Sequence, residues 1–419
     1  MLNSLLKRLR QLSRRIYVRV TLFAVLAVVA VLLSKLIAPL IPFDLKGRVG
    51  AEAVDTILNI LATSMLTVTT FSLTIMLNAL ISAANLWTPR SHLILREDTV
   101  TQSVLANFLG AYLFSLIGII MRHAGLFDER EIVVLFFMSL LVVGMVVVSL
   151  IRWIVHLEGL GSLTFTASQI EAEVARAVTR AADLPCHGAH ALDDAQAQIP
   201  QSAWPLRADR CGYLQQIFQT ALQDAAEAAD FRVYVVTEVG QYLLRGEPLA
   251  YVDCAETLPE DAEQRLRNCL PLSELRSFEE DPAFGARVLA EVAVKALSPG
   301  INDPGTAIDI INRMARVLSS ARVGAMEEPQ YPRIWARRLD PETLFEAGFD
   351  PIARCAGEDV DVHRTVQVAL RQVCFAARDP RVAEAARACA GRALDRAALD
   401  IRYPPDLEKV RAASEPGRP

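Results

Sequence analysis

The sequence predicts an integral membrane all-α bundle of four transmembrane helices, followed by a C-terminal α+β, mainly helical cytoplasmic domain. Three observations predict it. The chain has 419 residues of which 52% are hydrophobic, and its mean hydropathy of +0.28 is high for a soluble protein. The long apolar runs are confined to the stretch before residue 158. Beyond it, Ala, Arg, Asp and Glu dominate, and helical and strand-like patterns alternate.

The first nineteen residues carry Lys7, Arg8, Arg10, Arg14, Arg15 and Arg19 and no acid. Cytoplasmic flanks collect Lys and Arg, so residues 1–19 form a basic cytoplasmic N-terminus. A span needs about 20 apolar residues, and residues 20–157 supply four, at about 20–41, 57–83, 104–121 and 132–155. The run from Val20 to Leu33 lacks a small-residue cleavage site and is followed by Lys35, Pro39 and Pro42. It therefore reads as an uncleaved helix, not a signal peptide. An even number of spans returns the C-terminus to the cytoplasm, so a multi-pass protein with both termini cytoplasmic is expected. The seven cysteines agree with a reducing compartment, since all lie at or beyond Cys186 and their number is odd.

The second span is unusual. No charge occurs between Asp55 and Arg90, yet Ser, Thr and Asn recur. On a helix, Thr56, Asn59, Thr63, Thr67, Thr70, Thr74, Asn78 and Asn85 fall within a sector of roughly 100°. At about 1.5 Å per residue the helix outruns a hydrocarbon core of about 30 Å. Thr63, Thr67, Thr70, Thr74 and Asn78 are candidate pore-lining or helix-packing residues. With hydroxyls and amides in lipid, the stripe must face either another helix or water.

Residues 158–205 read as a continuing helix, "GLGSLTFTASQIEAEVARAVTRAA", and a polar linker from Leu184 to about Pro205. Residues 206–405 form the α+β domain. "YLQQIFQTALQDAAEAADF" has helical periodicity. "FRVYVVTEVGQYLLRGEPLAYVD" shifts to β-branched and aromatic residues with glycine turns and predicts two or three strands. Helices return at about 283–297, 304–320, 360–377 and 380–399, and residues 406–419 read as a frayed tail.

Between the first two of these helices lies "SPGINDPGTA". Pro299 disfavours helical geometry at Ser298, so the preceding helix stops there. Asp303 suits an N-cap, with Pro304 at the first helical position and Thr306 two residues later. Asn302 tolerates positive φ. Ser298, Pro299, Gly300, Asn302, Asp303 and Pro304 thus form a rigid polar elbow, expected at a structural joint or a subunit interface.

The full segment "DPAFGARVLAEVAVKALSPGINDPGTAIDIINRM" carries a resemblance, supported by "FSLTIMLNALISAANLWTPR", "VGQYLLRGEPLAYVD" and "LFEAGFDPIARCAGED". Together they resemble the predicted bacterial membrane proteins of domain-of-unknown-function family 2254. The resemblance implies a multi-span membrane half and a cytoplasmic half, and assigns no catalytic residue.

No nucleophile elbow, metalloprotease motif or phosphate-binding loop occurs, so no enzyme and no cofactor is expected. "CHGAHALDD" brings Cys186, His187, His190, Asp193 and Asp194 together, but in no structural zinc spacing, and no metal is expected. His363, beside Arg364, reads as a solvated surface residue. Cys211, Cys254, Cys269, Cys355, Cys374 and Cys389 read as small core hydrophobes. The glycine turns between Phe231 and Asp253 resemble those of small carrier barrels, but no lysine lies there to be modified. A net charge of −5 without a basic domain argues against nucleic acid. The expected partners are the lipid bilayer, further copies of the chain and a cytoplasmic protein. Two functions follow: a homo-oligomeric channel or transport-type protein lined by the second helix, or a membrane-anchored scaffold or sensor.

Overall fold

Residues 51–86 contain neither Gly nor Pro, and they form one uninterrupted helix, α1 (Ala51–Leu86). It belongs to a computed structural model that describes residue 25 and residues 51–86, 99–125, 129–159, 163–254, 258–324 and 328–415. The chain divides into two units, Met1–Thr166 and Ala167–Pro419.

In the first unit, α1 is joined by α2 (Thr99–His123) and α3 (Glu129–Gly159). Among the described residues these three helices are long and apolar enough to cross a membrane. Of the four predicted spans, the one at 20–41 lies, apart from Val25, outside the described residues, so three are seen. Leu61 and Met65 of α1 pack on Val104, Phe108 and Ala111 of α2 and on Val146 and Trp153 of α3. Val54 and Leu58 form a second cluster with Phe114 and Leu135. Gly118 admits Leu58, whose Cδ1 would lie 3.2 Å from a Cβ added there. Specific polar contacts join the helices, as expected where an unpaired polar group is costly. Asn107 donates to Ser149 Oγ at 2.9 Å, Thr101 meets His156 at 3.2 Å, and Arg122 grips both carboxylate oxygens of Asp55.

The second unit takes up most of α4 (Leu163–Asp183). A five-stranded sheet follows, built from β1 (Ala189–Ala191), β2 (Trp204–Arg207), β4 (Arg232–Val235), β6 (Pro248–Asp253) and β8 (Tyr331–Ala336), in the order β1-β8-β4-β6-β2. The strands β1, β8 and β4 are parallel, and β6 and β2 complete the sheet antiparallel. Alternation along the strands sends Val233, Val235, Ala250, Val252, Ile334 and Ala336 to one face. There they share a core with Leu222 and Leu266, from α6 (Gln219–Ala228) and α7 (Glu260–Asn268). The other face carries a row of rings. His190 stacks on Trp335 at 4.5 Å, and Trp335 on Tyr234 at 4.9 Å. A smaller sheet pairs β3 (Gly212–Leu214) with β5 (Tyr242–Leu243) and β7 (Leu272–Ser273).

The remainder is helical: α8 (Pro282–Ala296), α9 (Pro304–Leu318), α10 (Pro341–Gly348), α11 (Asp350–Cys355), α12 (Val360–Ala376), α13 (Pro380–Asp400) and α14 (Pro404–Ser414). Proline stands in the first turn of all but α12, and Asp281, Asp303, Asp340, Asp359 and Asp379 cap five of them.

Several sequence expectations are corrected. The segment 184–205 is no plain loop, since it holds β1, a short helix α5 (Ala195–Gln198) and the start of β2. Tyr213 and Leu214 belong to β3, and α6 starts at Gln219. The tail expected to fray from 406 is helical to Ser414, because Val410 is fully buried against Ala397 and Ile401. His363 is not on the surface. It is 1% exposed, with Nε2 bonded to the Gly357 carbonyl at 2.9 Å. Cys211 and Cys355 are exposed, while Cys186, Cys269 and Cys389 are buried.

Candidate functional site

The sequence-predicted stripe occupies the outward side of α1. Thr56, Asn59, Thr63, Thr67, Thr70, Thr74 and Asn78 are all exposed, whereas Val54, Leu58, Leu61, Met65 and Ser72 face the bundle. The side chain of Asn85 lies outside the described residues. The stripe is therefore not what joins α1 to α2 and α3; apolar side chains and the Asp55–Arg122 pair do that.

Most stripe hydroxyls turn back onto their own helix. Thr67 donates to the Thr63 carbonyl at 3.1 Å, and Thr74 to the Thr70 carbonyl at 3.0 Å. Thr70 is shared between the carbonyls of Leu66, at 3.1 Å, and Thr67, at 2.9 Å. Such back-bonding satisfies the hydroxyl proton without a neighbour. Asn59, Thr63 and Asn78 make no side-chain hydrogen bond among the described residues, and an amide, with two N–H donors and an acceptor oxygen, is only partly satisfied by one local bond. These two asparagines are the most costly groups on that face to leave in hydrocarbon.

The elbow lies in the second unit, between α8 and α9. Asn302 has φ 50°, and Asp303 caps α9 by accepting the Thr306 amide at 3.0 Å. Ser298 Oγ donates to the Lys295 carbonyl at 2.6 Å, and the Asp303 amide donates to the Ala296 carbonyl at 2.8 Å. Pro299, Gly300, Ile301, Asn302 and Asp303 are exposed. The turn is thus fixed from within, with its tip presented to its surroundings.

"CHGAHALDD" does not converge. Cys186 and His187 both adopt left-handed backbone conformations, at φ 51° and 57°. Burial drives the His187 pKa down to about 4 and raises that of the Cys186 thiol. His190 joins the ring row, Asp194 caps α5 by accepting from Gln196 and Ala197, and Asp193 pairs with Arg338. Among the described residues no group of three or more His, Cys, Asp or Glu is placed to hold a metal ion.

The sequence reading missed a charged cleft in this unit, lined by Leu192, Asp193, Ala195, Glu238, Arg337 and Arg338. Arg338 holds Asp193 through two bonds of 2.6 Å. That hydrogen-bonded guanidinium lowers the Asp193 pKa, and the carboxylate raises that of Arg338. Burial pushes the Glu238 carboxyl up, against the pull of Arg337. Its groups come from three strand ends, and nothing local in the sequence announces it.

A family model described as "Predicted membrane protein (DUF2254)" matches residues 13–372. The chain belongs to this family. The resemblance carried by the elbow segment and its flanks is thereby established over most of the chain. This DUF2254 protein is also 33% identical over 134 residues to uncharacterised proteins of Mycobacterium bovis and Mycobacterium tuberculosis. The match takes in 30% of this chain and 26% of theirs, so the chain spans about a quarter of the length of these relatives. No solved structure matches it significantly.

Proposed function

We propose that this DUF2254 protein is a homo-oligomeric channel or transport-type protein of the bacterial inner membrane, with both termini cytoplasmic and α1 lining the path. The observation that carries the reading is the outward position of Thr63, Thr67, Thr70, Thr74 and Asn78. Polar groups on the outside of a spanning helix need protein or water as neighbours. A single stripe cannot enclose water, so several copies of α1 must face a common axis. The exposed elbow is assigned to the subunit contact that sets the spacing of the C-terminal units.

Back-bonding of Thr67, Thr70 and Thr74 favours a second reading, a membrane-anchored scaffold or sensor whose stripe packs dry and whose C-terminal unit binds a cytoplasmic partner.

The test uses a membrane unit in which no cysteine occurs. Single cysteines at 63, 67, 70 and 74 are compared with controls at 65, 68 and 73, using a small membrane-impermeant thiol reagent in sealed cells and then from both sides. Labelling of the threonine positions alone supports the lined path. No labelling from either side supports the scaffold, and a purified monomer overturns the channel.

A further inference from the structure

The parallel strands β1, β8 and β4 all run into the charged cleft. Beyond its last residue β1 supplies Leu192, Asp193 and Ala195, β8 supplies Arg337 and Arg338, and β4 supplies Glu238. The crevice past the carboxyl ends of parallel strands is the usual ligand site of open sheets. There the chain departs in different directions, and side chains from separate strands converge on shared space. The volume is about 240 Å³, below the roughly 300–1,000 Å³ of drug-sized sites.

The four charged groups are not equivalent. Arg338 and Asp193 close on each other through two bonds of 2.6 Å, which fixes Arg338 as a rigid wall. Arg337 is held loosely. Its nearest acid is Glu238 at 3.6 Å, and both side chains stay half-exposed. That distance is too long for a good hydrogen bond. The guanidinium fork of Arg337 is thus presented to the cleft with its bidentate geometry unused.

We infer that the cleft binds a small anion, a phosphate or carboxylate compound bearing a hydroxyl group, with Arg337 taking the anionic group and Glu238 the hydroxyl. A planar guanidinium matches two oxygens of either anion at once. Around Glu238 stand Arg337 and Asp340, with Asp193 and Arg338 completing the cleft wall. The covered part of Glu238 raises its carboxyl pKa, so a fall in pH removes a charge that repels an anion. The inference is independent of whether α1 lines a path.

Calorimetric titration of the full chain in detergent tests it, with glycerol 3-phosphate and malate as probes; whichever binds more tightly identifies the anion class. Sulfate, ionised throughout, is titrated between pH 4.5 and 7.5. At least one organic probe should bind, and Arg337→Ala should weaken it by about tenfold or more, with partial recovery in Arg337→Lys. Sulfate should bind more tightly as pH falls, and Glu238→Gln should bind it tightly at every pH. Arg364→Ala, at an exposed arginine elsewhere in the unit, should change nothing. Thermal melts establish that each variant is folded. The inference is overturned if neither probe binds at millimolar concentration, or if folded Arg337→Ala binds as the parent does.

Discussion

The Asp303 carboxylate closes on Thr306 twice, accepting its backbone N–H at 3.0 Å and its hydroxyl at 2.6 Å. Thr306 is 9% exposed, so the cap reaches into the packed side of α9. Asp303→Ala removes both bonds and is expected to cost about 1–2 kcal/mol, read as a lower melting temperature in detergent. The Thr306 hydroxyl holds the Asp303 pKa below its ordinary value. A depressed carboxyl contributes stability that is present above the unfolded value of about 3.9 and disappears as pH falls through the folded one. The gap between parent and variant should therefore narrow below pH 4. Equal melting at pH 7 would sink the assignment.

Gly240 and Gly246 make a paired comparison. Both have positive φ, 85° and 91°. A Cβ on Gly240 would lie 2.0 Å from Asp281 Oδ2, while one on Gly246 meets nothing within 4 Å. Asp281 is 2% exposed, caps α8 through Phe284 N and holds Arg276 at 2.7 and 2.9 Å. Gly246→Ala should show only the backbone cost, about 1–2 kcal/mol. Gly240→Ala also displaces a buried ion pair and should cost roughly 3 kcal/mol or more. Melts of equal depth for the two variants would show that the Asp281 contact yields without penalty.

His187 should make the second unit acid-sensitive. Its folded pKa, about 4, lies below the ordinary 6.5 because burial disfavours the charged ring. The unfolded chain takes up the proton first, so stability is full above about pH 6.5 and declines toward pH 4. The shift sets an upper bound of about 3 kcal/mol on the loss. His187→Asn keeps a residue that tolerates the left-handed backbone and should flatten the melting-temperature profile between pH 7 and 5. An unchanged slope would place the sensitivity elsewhere.

Ser72 is fully buried, and its hydroxyl finds no partner among the described residues. Replacing an unsatisfied buried hydroxyl removes a desolvation penalty of about 1–3 kcal/mol. Ser72→Ala should leave the membrane unit as stable or more stable in detergent. A clear fall in melting temperature would mean that the hydroxyl is bonded after all.

What the sequence made legible was either long or local. About twenty apolar residues in a row admit few alternatives to a spanning helix, and the cap at Asp303, Pro304 and Thr306 needs only its own neighbours. The short strands escaped because they exist through distant pairing. Leu272 and Ser273 form a strand only beside Leu214 and Tyr213. Asp193 and Arg338 meet although 145 positions separate them, so the cleft had no signature. Periodicity located the stripe on one face of α1 but could not say what that face meets, since the same pattern serves lipid, protein or water. His363 was misread because its neighbour Arg364 is exposed; adjacent helical positions point about 100° apart.

Two polar contacts between α2 and α3 bear on how the membrane unit can move. Asn107–Ser149 and Thr101–His156 lie about two turns apart on each helix. Sliding one helix past the other breaks both at once, so the pair behaves as a single lever. No comparable pin is found along the middle of α1 among the described residues; its one charged tie is Asp55 to Arg122, near its start. In the proposed transport reading, any swing of α1 turns about that tie and must break the apolar packing of Leu58, Leu61 and Met65 while the lever stays still. Spin labels on α1 and α2 should report one changing distance far from Asp55 and a constant one beside it.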